Sequence, residues 1–259
     1  MILALNIGNS NITFGGYTPD GKLVFSSRLF ADTALSSDEL LYKIVNMLAL
    51  YGAEPQQITA VIFSSVVPAL TPRLREALRK MCECQIMEVG PGLKSGVRIR
   101  MDNPAQLGAE LLCGAVAALT EGPGPLAVIS ADTPISIMAV NAKQELVGGV
   151  ILPGPQLSLS ALVQRTAQLP QIDLSAPASS SILGKNTSAC LQNGFVLGTA
   201  GLLDGLAERF QAELGPDIRF YATGNLPRTI REACRTPIEY REYLITDGLY
   251  RIWQKNRKG

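Results

Sequence analysis

Near its start the chain carries Asn6-Ile7-Gly8-Asn9-Ser10-Asn11, a glycine followed by small amide and hydroxyl side chains. A turn of this composition aims backbone N–H groups and short donors at one point, which suits an anion such as a nucleotide phosphate. Gly8 permits close backbone approach, and Asn9, Ser10 and Asn11 add donors without bulk. The flanks, Ile2–Leu5 and Ile12-Thr13-Phe14, are apolar and β-prone, so the whole stretch to Tyr17 predicts a hairpin. A purely structural hairpin fits the same residues, so the rest of the chain must decide between the two.

The 259 residues include no histidine. That removes Ser-His-Asp and Cys-His catalysis, histidine-bound zinc and imidazole general-base chemistry together. Acid–base work must fall to carboxylates, lysines or tyrosines. The five cysteines are odd in number and scattered, and Cys82 and Cys84 are spaced wrongly for a redox pair or a zinc knuckle. They read as small core or surface residues of a reduced compartment. A net charge of +1 and the want of a basic, aromatic-interleaved cluster predict no nucleic-acid partner. No apolar run approaches about 18 residues and no leader pattern opens the chain, which predicts a cytoplasmic protein with no membrane partner.

With 47% hydrophobic and 17% charged residues the chain can bury a large core. Strand-like and helix-like stretches alternate, predicting an α/β fold. A strand at Leu23–Arg28 precedes a helix opened by Ser36 and ending at Gly52, and Ile58–Ser65 reads as a buried strand. Thr71-Pro72 reads as the N-cap and first residue of a helix, and Asn103-Pro104 as the opening of another that runs to about Glu121. Gly122-Pro123-Gly124-Pro125 marks the boundary between an N-terminal lobe, 1–121, and a C-terminal lobe, 122–259. Beyond it, Leu126–Ala131, Ile135–Val140 and Glu145–Leu152 repeat the strand–turn–strand order of the opening hairpin, with Gly148-Gly149 ending that region. This suggests two lobes on one plan with a nucleotide between them. A helix is predicted at Leu157–Leu169, a soft linker at Ala176–Ser181, and a long helix from Thr187 to Leu214. Gly194, Gly198, Gly201 and Gly205 form one stripe of the long helix, implying close approach by a core partner or by a second subunit. Asp217–Tyr221 reads as a strand, Pro227–Cys234 as a helix, and Thr246 as the cap of a last helix ending at Gln254.

Taken together, several of these stretches resemble the type III pantothenate kinase family. The resemblance rests on Asn6-Ile7-Gly8-Asn9-Ser10, Ser64-Ser65-Val66-Val67-Pro68, Asp102-Asn103-Pro104, Gly108-Ala109, Gly148 to Gly154, Leu169-Pro170, Gly184 to Thr187, Ala222-Thr223-Gly224 and Asp247-Gly248-Leu249. It implies a two-lobed, ribonuclease H-like α/β fold shared with actin, heat-shock-chaperone ATPases and sugar kinases. It also implies transfer of the ATP γ-phosphoryl group to pantothenate, the first step of coenzyme A synthesis. The implied form is a homodimer using Mg²⁺ and a monovalent cation (K⁺ or NH₄⁺). Asn6, Gly8, Asn9, Ser10, Asn11, Thr13, Thr133 and Gly224 would then face the nucleotide. Met101, Gly108, Ala109 and Leu111, with Thr187 of the second subunit, would face the substrate.

The sequence departs from the family pattern at its charges. Asn6 stands where the family has an aspartate that helps hold Mg²⁺. Glu110 replaces the aspartate base, one methylene longer, and Leu111 replaces the arginine that pairs with the substrate carboxylate. Ser130 replaces the cation-binding aspartate, Asp132 the turn glycine, Met101 a tyrosine and Asn225 a second glycine. Asp132 could act as a relocated metal ligand, about 6.6 Å further along the strand than Ser130. Three readings follow: a pantothenate kinase impaired by these losses, with Glu110 as base; a non-catalytic paralogue that binds a nucleotide or metabolite and regulates a partner; or a kinase for a different, uncharged alcohol.

Overall fold

The computed structural model describes residues 1–175 and 181–257. The chain divides into two compact units, Met1–Glu121 with Tyr243–Gly259, and Gly122–Glu242. Of the serine-rich linker expected at 176–181, only Ser181 lies among the described residues.

The first unit is built on a sheet of β1 (Ile2–Ile7), β2 (Asn11–Tyr17), β3 (Leu23–Phe30), β4 (Ala60–Ser65) and β5 (Gln85–Glu88). Their order is β3-β2-β1-β4-β5. The hairpin strands β1, β2 and β3 run antiparallel, while β4 and β5 lie parallel to β1. β1 is buried along its whole length because both faces are covered. Leu3, Leu5 and Ile7 face α1 (Ser37–Leu50) and α2 (Thr71–Met81), whose Leu40, Ile44, Leu74 and Leu78 fill that side. Ile2 and Ala4 point the other way, toward Cys113 and Val116 of α3 (Ala109–Ala118) and Leu249, Ile252 and Trp253 of the C-terminal helix α7 (Leu244–Asn256). A two-residue strand, β6 (Arg98–Ile99), also falls in this unit but is not part of its sheet.

The second unit contains β7 (Leu126–Ala131), β8 (Pro134–Val140), β9 (Glu145–Pro153), β10 (Arg219–Gly224) and β11 (Ile238–Tyr240). They run in the order β11-β10-β7-β8-β9. β7, β8 and β9 form an antiparallel meander, and β10 and β11 lie parallel to β7. Order and sense therefore repeat those of the first unit. The helices are α4 (Pro155–Gln164), α5 (Thr187–Leu214) and α6 (Arg228–Ala233). Val196, Ala200, Leu203 and Ala207 of α5 cover Ala127, Ile129, Ile137 and Phe220 of the sheet.

Several expected boundaries move. Thr71 is the first helical residue of α2 behind Leu70, and its hydroxyl donates to Ser65 Oγ at 2.7 Å. Asn103 caps only a short 3₁₀ turn, Pro104–Gln106, and α3 begins after Gly108. Gly148 and Gly149 lie inside β9, opposite Ala139 and Met138, next to a register shift between Ala139 and Val140, so they do not end the strand. Thr246 is no cap: it lies buried in the first turn of α7, its hydroxyl 2.9 Å from that of Tyr17. Residues 243–259, expected in the second lobe, belong to the first unit. The close approach of α7 to α3 requires a glycine, because a Cβ on Gly248 would collide with the Cys113 carbonyl.

Candidate active site

The first unit gathers polar side chains where β1 and β4 end. Asn6 pairs in register with Thr13 on β2 and with Ser64 on β4, so all three project from the face that α3 covers. Asn6 is 4% exposed and Ser64 fully buried. The Ser64 hydroxyl donates to Asn6 Oδ1 at 2.7 Å, and Asn6 Nδ2 donates to Glu110 Oε2 at 3.4 Å. A carboxylate accepts only, so the Asn6 amide must turn its nitrogen toward Glu110 and its oxygen toward Ser64. Behind them burial pushes the Cys113 thiol up, which keeps it neutral and unreactive.

The turn beside this network closes through Gly8 N–H donating to the Asn11 carbonyl at 2.9 Å, and the Ser10 carbonyl accepts from Ala31 N–H at 3.0 Å. Gly8 is buried, Asn9 exposed, and Ser10, Asn11 and Thr13 half-buried. Arg28 is a residue that sequence reasoning used only as a strand end. The β2–β3 register sets it opposite Thr13, which completes a row Ser64–Asn6–Thr13–Arg28. Counting the two hairpin registers outward from Asn6 would have found it.

Glu110 and Leu111 occupy the first turn of α3, with Gly108 as its N-cap and Ala109 its first residue. Leu111 is 8% exposed. Its side chain and that of Val66 flank Gly108, so the position where the resemblance implies an arginine is an apolar wall. Met101 is half-buried in the bend ahead of the 3₁₀ turn.

In the second unit, Ser130 pairs in register with Ser136 on β8 and Thr223 on β10, and all three hydroxyl residues are buried. Asp132 and Thr133 form the β7–β8 turn, which closes through Asp132 N–H donating to the Pro134 carbonyl at 3.0 Å. Asn225 Nδ2 donates to Asp132 Oδ1 at 2.7 Å. Gly224 has φ +86°, and a Cβ there would strike the Ala131 carbonyl. The Gly224 carbonyl in turn accepts from the Tyr240 hydroxyl at 2.8 Å. Thr187 is exposed at the start of α5, behind the Asn186 N-cap. A Cβ on Gly194, Gly198, Gly201 or Gly205 would meet nothing within 4 Å, so the described residues supply no close partner for that stripe.

These residues do not fit a resident Mg²⁺. Among the described residues no group of three or more acidic or cysteine side chains is placed to hold a metal. The Asn6 oxygen is taken by Ser64, Asp132 binds Asn225, and Ser130 brings no charge. No described helix is long and apolar enough to cross a membrane.

A family profile for type III pantothenate kinases matches residues 2–209. The chain is 37% identical to a type III pantothenate kinase of Rhodospirillum centenum, with 99% of each chain covered. Among solved structures it resembles the activator of 2-hydroxyisocaproyl-CoA dehydratase from Clostridium difficile, solved with ADPNP, at TM-score 0.57 and 11% identity over 100% of this chain and 98% of that one. It also resembles a candidate 2-dehydro-3-deoxygalactonokinase of Sinorhizobium meliloti, at TM-score 0.57 and 13% identity over 98% and 96%. The α/β fold is thus the one shared by sugar kinases and actin- and chaperone-like ATPases.

Proposed function

The chain belongs to the type III pantothenate kinase family, and from that premise we propose that it transfers the γ-phosphoryl group of ATP to pantothenate slowly, with Glu110 as general base. The observation that carries this reading is the Ser64–Asn6–Glu110 chain of hydrogen bonds. It keeps the one acidic side chain of the first unit's site oriented while removing the charge an aspartate at position 6 would bring. Glu110 would take the proton of the pantothenate hydroxyl as it attacks the γ-phosphorus, work worth about 10²–10⁴-fold. The Gly8–Asn11 turn, Thr13, Thr133 and Gly224 would bind the nucleotide. Mg²⁺ would enter with ATP as part of the substrate.

Met101, Gly108, Ala109 and Leu111 would line the pantothenate site. With Leu111 in place of a cation the substrate carboxylate forfeits a charge-assisted pair of about 1.5–3 kcal/mol, which supports weak substrate binding. The exposed Gly194, Gly198 and Gly201 of α5 and the exposed Thr187 support a homodimer in which α5 meets its copy and Thr187 reaches the partner's substrate.

Purified protein with ATP, Mg²⁺, K⁺ and pantothenate should yield 4′-phosphopantothenate, and Glu110→Gln should lower kcat by about 10²-fold or more. No product after long incubation at high enzyme rejects the reading. A second reading, a non-catalytic nucleotide-binding paralogue, is favoured by the same network, since the amide–carboxylate contact satisfies the site without a cation. ADP binding with no turnover in either protein would establish it.

A further inference from the structure

Cys82 and Cys84 lie at the edge of the first unit's sheet opposite the Asn6–Glu110 network. Cys82 is the residue that closes α2, and Cys84 directly precedes β5. β5 starts level with Ala60, whereas Ser64 lies four residues further along β4, about 13 Å at the usual strand rise. The two sulfurs are 2.6 Å apart, and both residues are half-buried. Together with Pro55, Ile58, Thr59 and Met81 they line a cavity of about 580 Å³, large enough to admit a small molecule.

We propose that Cys82 and Cys84 form a reversible dithiol–disulfide switch, oxidised by a low-molecular-weight disulfide that enters this cavity. The Cys82 thiolate attacks one sulfur of the small disulfide, giving a mixed disulfide and releasing one small thiolate, which takes up the proton Cys82 has lost. Cys84 then gives up its proton and attacks the Cys82 sulfur. The intrachain S–S bond forms, and the second small thiol leaves with that proton. Two protein thiols are oxidised and one small disulfide is reduced to two thiols, so atoms and electrons balance.

The reduced pair is arranged for that sequence. The Cys84 thiol is pushed up to about 12 by burial first, then by its hydrogen bond with Cys82 and the Cys82 charge. Once Cys82 is in a mixed disulfide, neither of the last two acts, and Cys84 becomes easier to ionise for the closing step. A link across one intervening residue removes little chain entropy, so it is poorly suited to a structural staple. Small, accessible disulfides of this kind are the readily reduced ones.

The test uses the full chain, equilibrated in glutathione buffers of increasing oxidised fraction, then quenched with acid, alkylated under denaturing conditions and mapped by mass spectrometry. The expected result is a fall from five free thiols to three, a mass lower by two hydrogens, a peptide linking 82 to 84, and full recovery on reduction. Cys190→Ser should retain the link, and Cys82→Ser should replace it with a glutathione adduct at Cys84 or with no change. Persistence of both alkylated thiols at 82 and 84 in fully oxidised glutathione overturns the proposal, as does a loss confined to mixed disulfides. Mapping of the parent protein decides the matter even if a variant does not fold.

Discussion

Asn6 Nδ2 and Glu110 Oε2 face each other at 3.4 Å, a neutral donor against the carboxylate of the candidate base. Two carboxylates so placed would repel unless a cation lay between them or one stayed protonated. The amide thus does locally what a cation does in a paired-acid site. Asn6→Asp should restore the need for a cation. Its melting temperature should fall by several degrees in chelator and rise again with Mg²⁺, about 1–3 kcal/mol in stability, while the parent stays indifferent to Mg²⁺. Thermal melts with and without MgCl₂ check this, and equal responses of the two proteins would sink it.

Leu111 is buried beside Val66 and Gly108. Leu111→Arg should lower the KM for pantothenate by about 10- to 100-fold, the worth of a charge-assisted pair, while costing about 1–3 kcal/mol of stability for the lost apolar contact. Leu111→Met, which keeps the volume, should change neither by much. Steady-state kinetics with pantothenate and with its uncharged alcohol analogue provide the check, since only the charged substrate should gain.

Asp132 and Asn225 meet at 2.7 Å although they lie far apart in sequence. Both are positions where the resemblance implies glycine, so the bond joins two departures from that expectation in space. Asp132→Gly and Asn225→Gly should each cost about 1 kcal/mol, and the double variant little more than either alone. A double-mutant cycle from denaturant melts measures this, and strict additivity would show that the bond contributes nothing.

The order of elements was legible in the chain because its strands and helices carry their own periodicity and caps. Ser36 and Glu39 form the capping box that starts α1, and Asn186 caps α5. The hairpin that presents Gly8 was legible for the same reason. What long-range pairing decides was not. Arg28 joins the row at Asn6 only through two strand registers, and Asn225 reaches Asp132 only because β10 lies beside β7. Residues 243–259 left the second unit because Tyr17 OH donates to Asp247 Oδ1 at 2.6 Å and Gly248 lets α7 close on α3, contacts that no local pattern announces. Spacing alone argues against Cys82 and Cys84 as a redox pair, yet the bend between α2 and β5 turns both sulfurs to one side.

Asp204 on α5 supplies a pH signature of the second unit. Its side chain is buried, and burial works against its charge. The backbone N–H groups of Arg235 and Thr236 donate to its carboxylate at 2.9–3.0 Å and hold it below the ordinary aspartate range. Arg235 Nε at 3.4 Å comes from an exposed side chain and adds little. A carboxyl depressed in the folded state contributes stability in full above its unfolded pKa of about 3.9, and loses that contribution as pH falls through the folded value. Asp204→Asn should therefore cost about 1.5–3 kcal/mol at neutral pH, and the gap to the parent should narrow steadily below about pH 4. Denaturant melts of both proteins across that range measure the gap. If it stays constant into acid, the two backbone donors are not what holds the charge, and α5 is anchored by its apolar face alone.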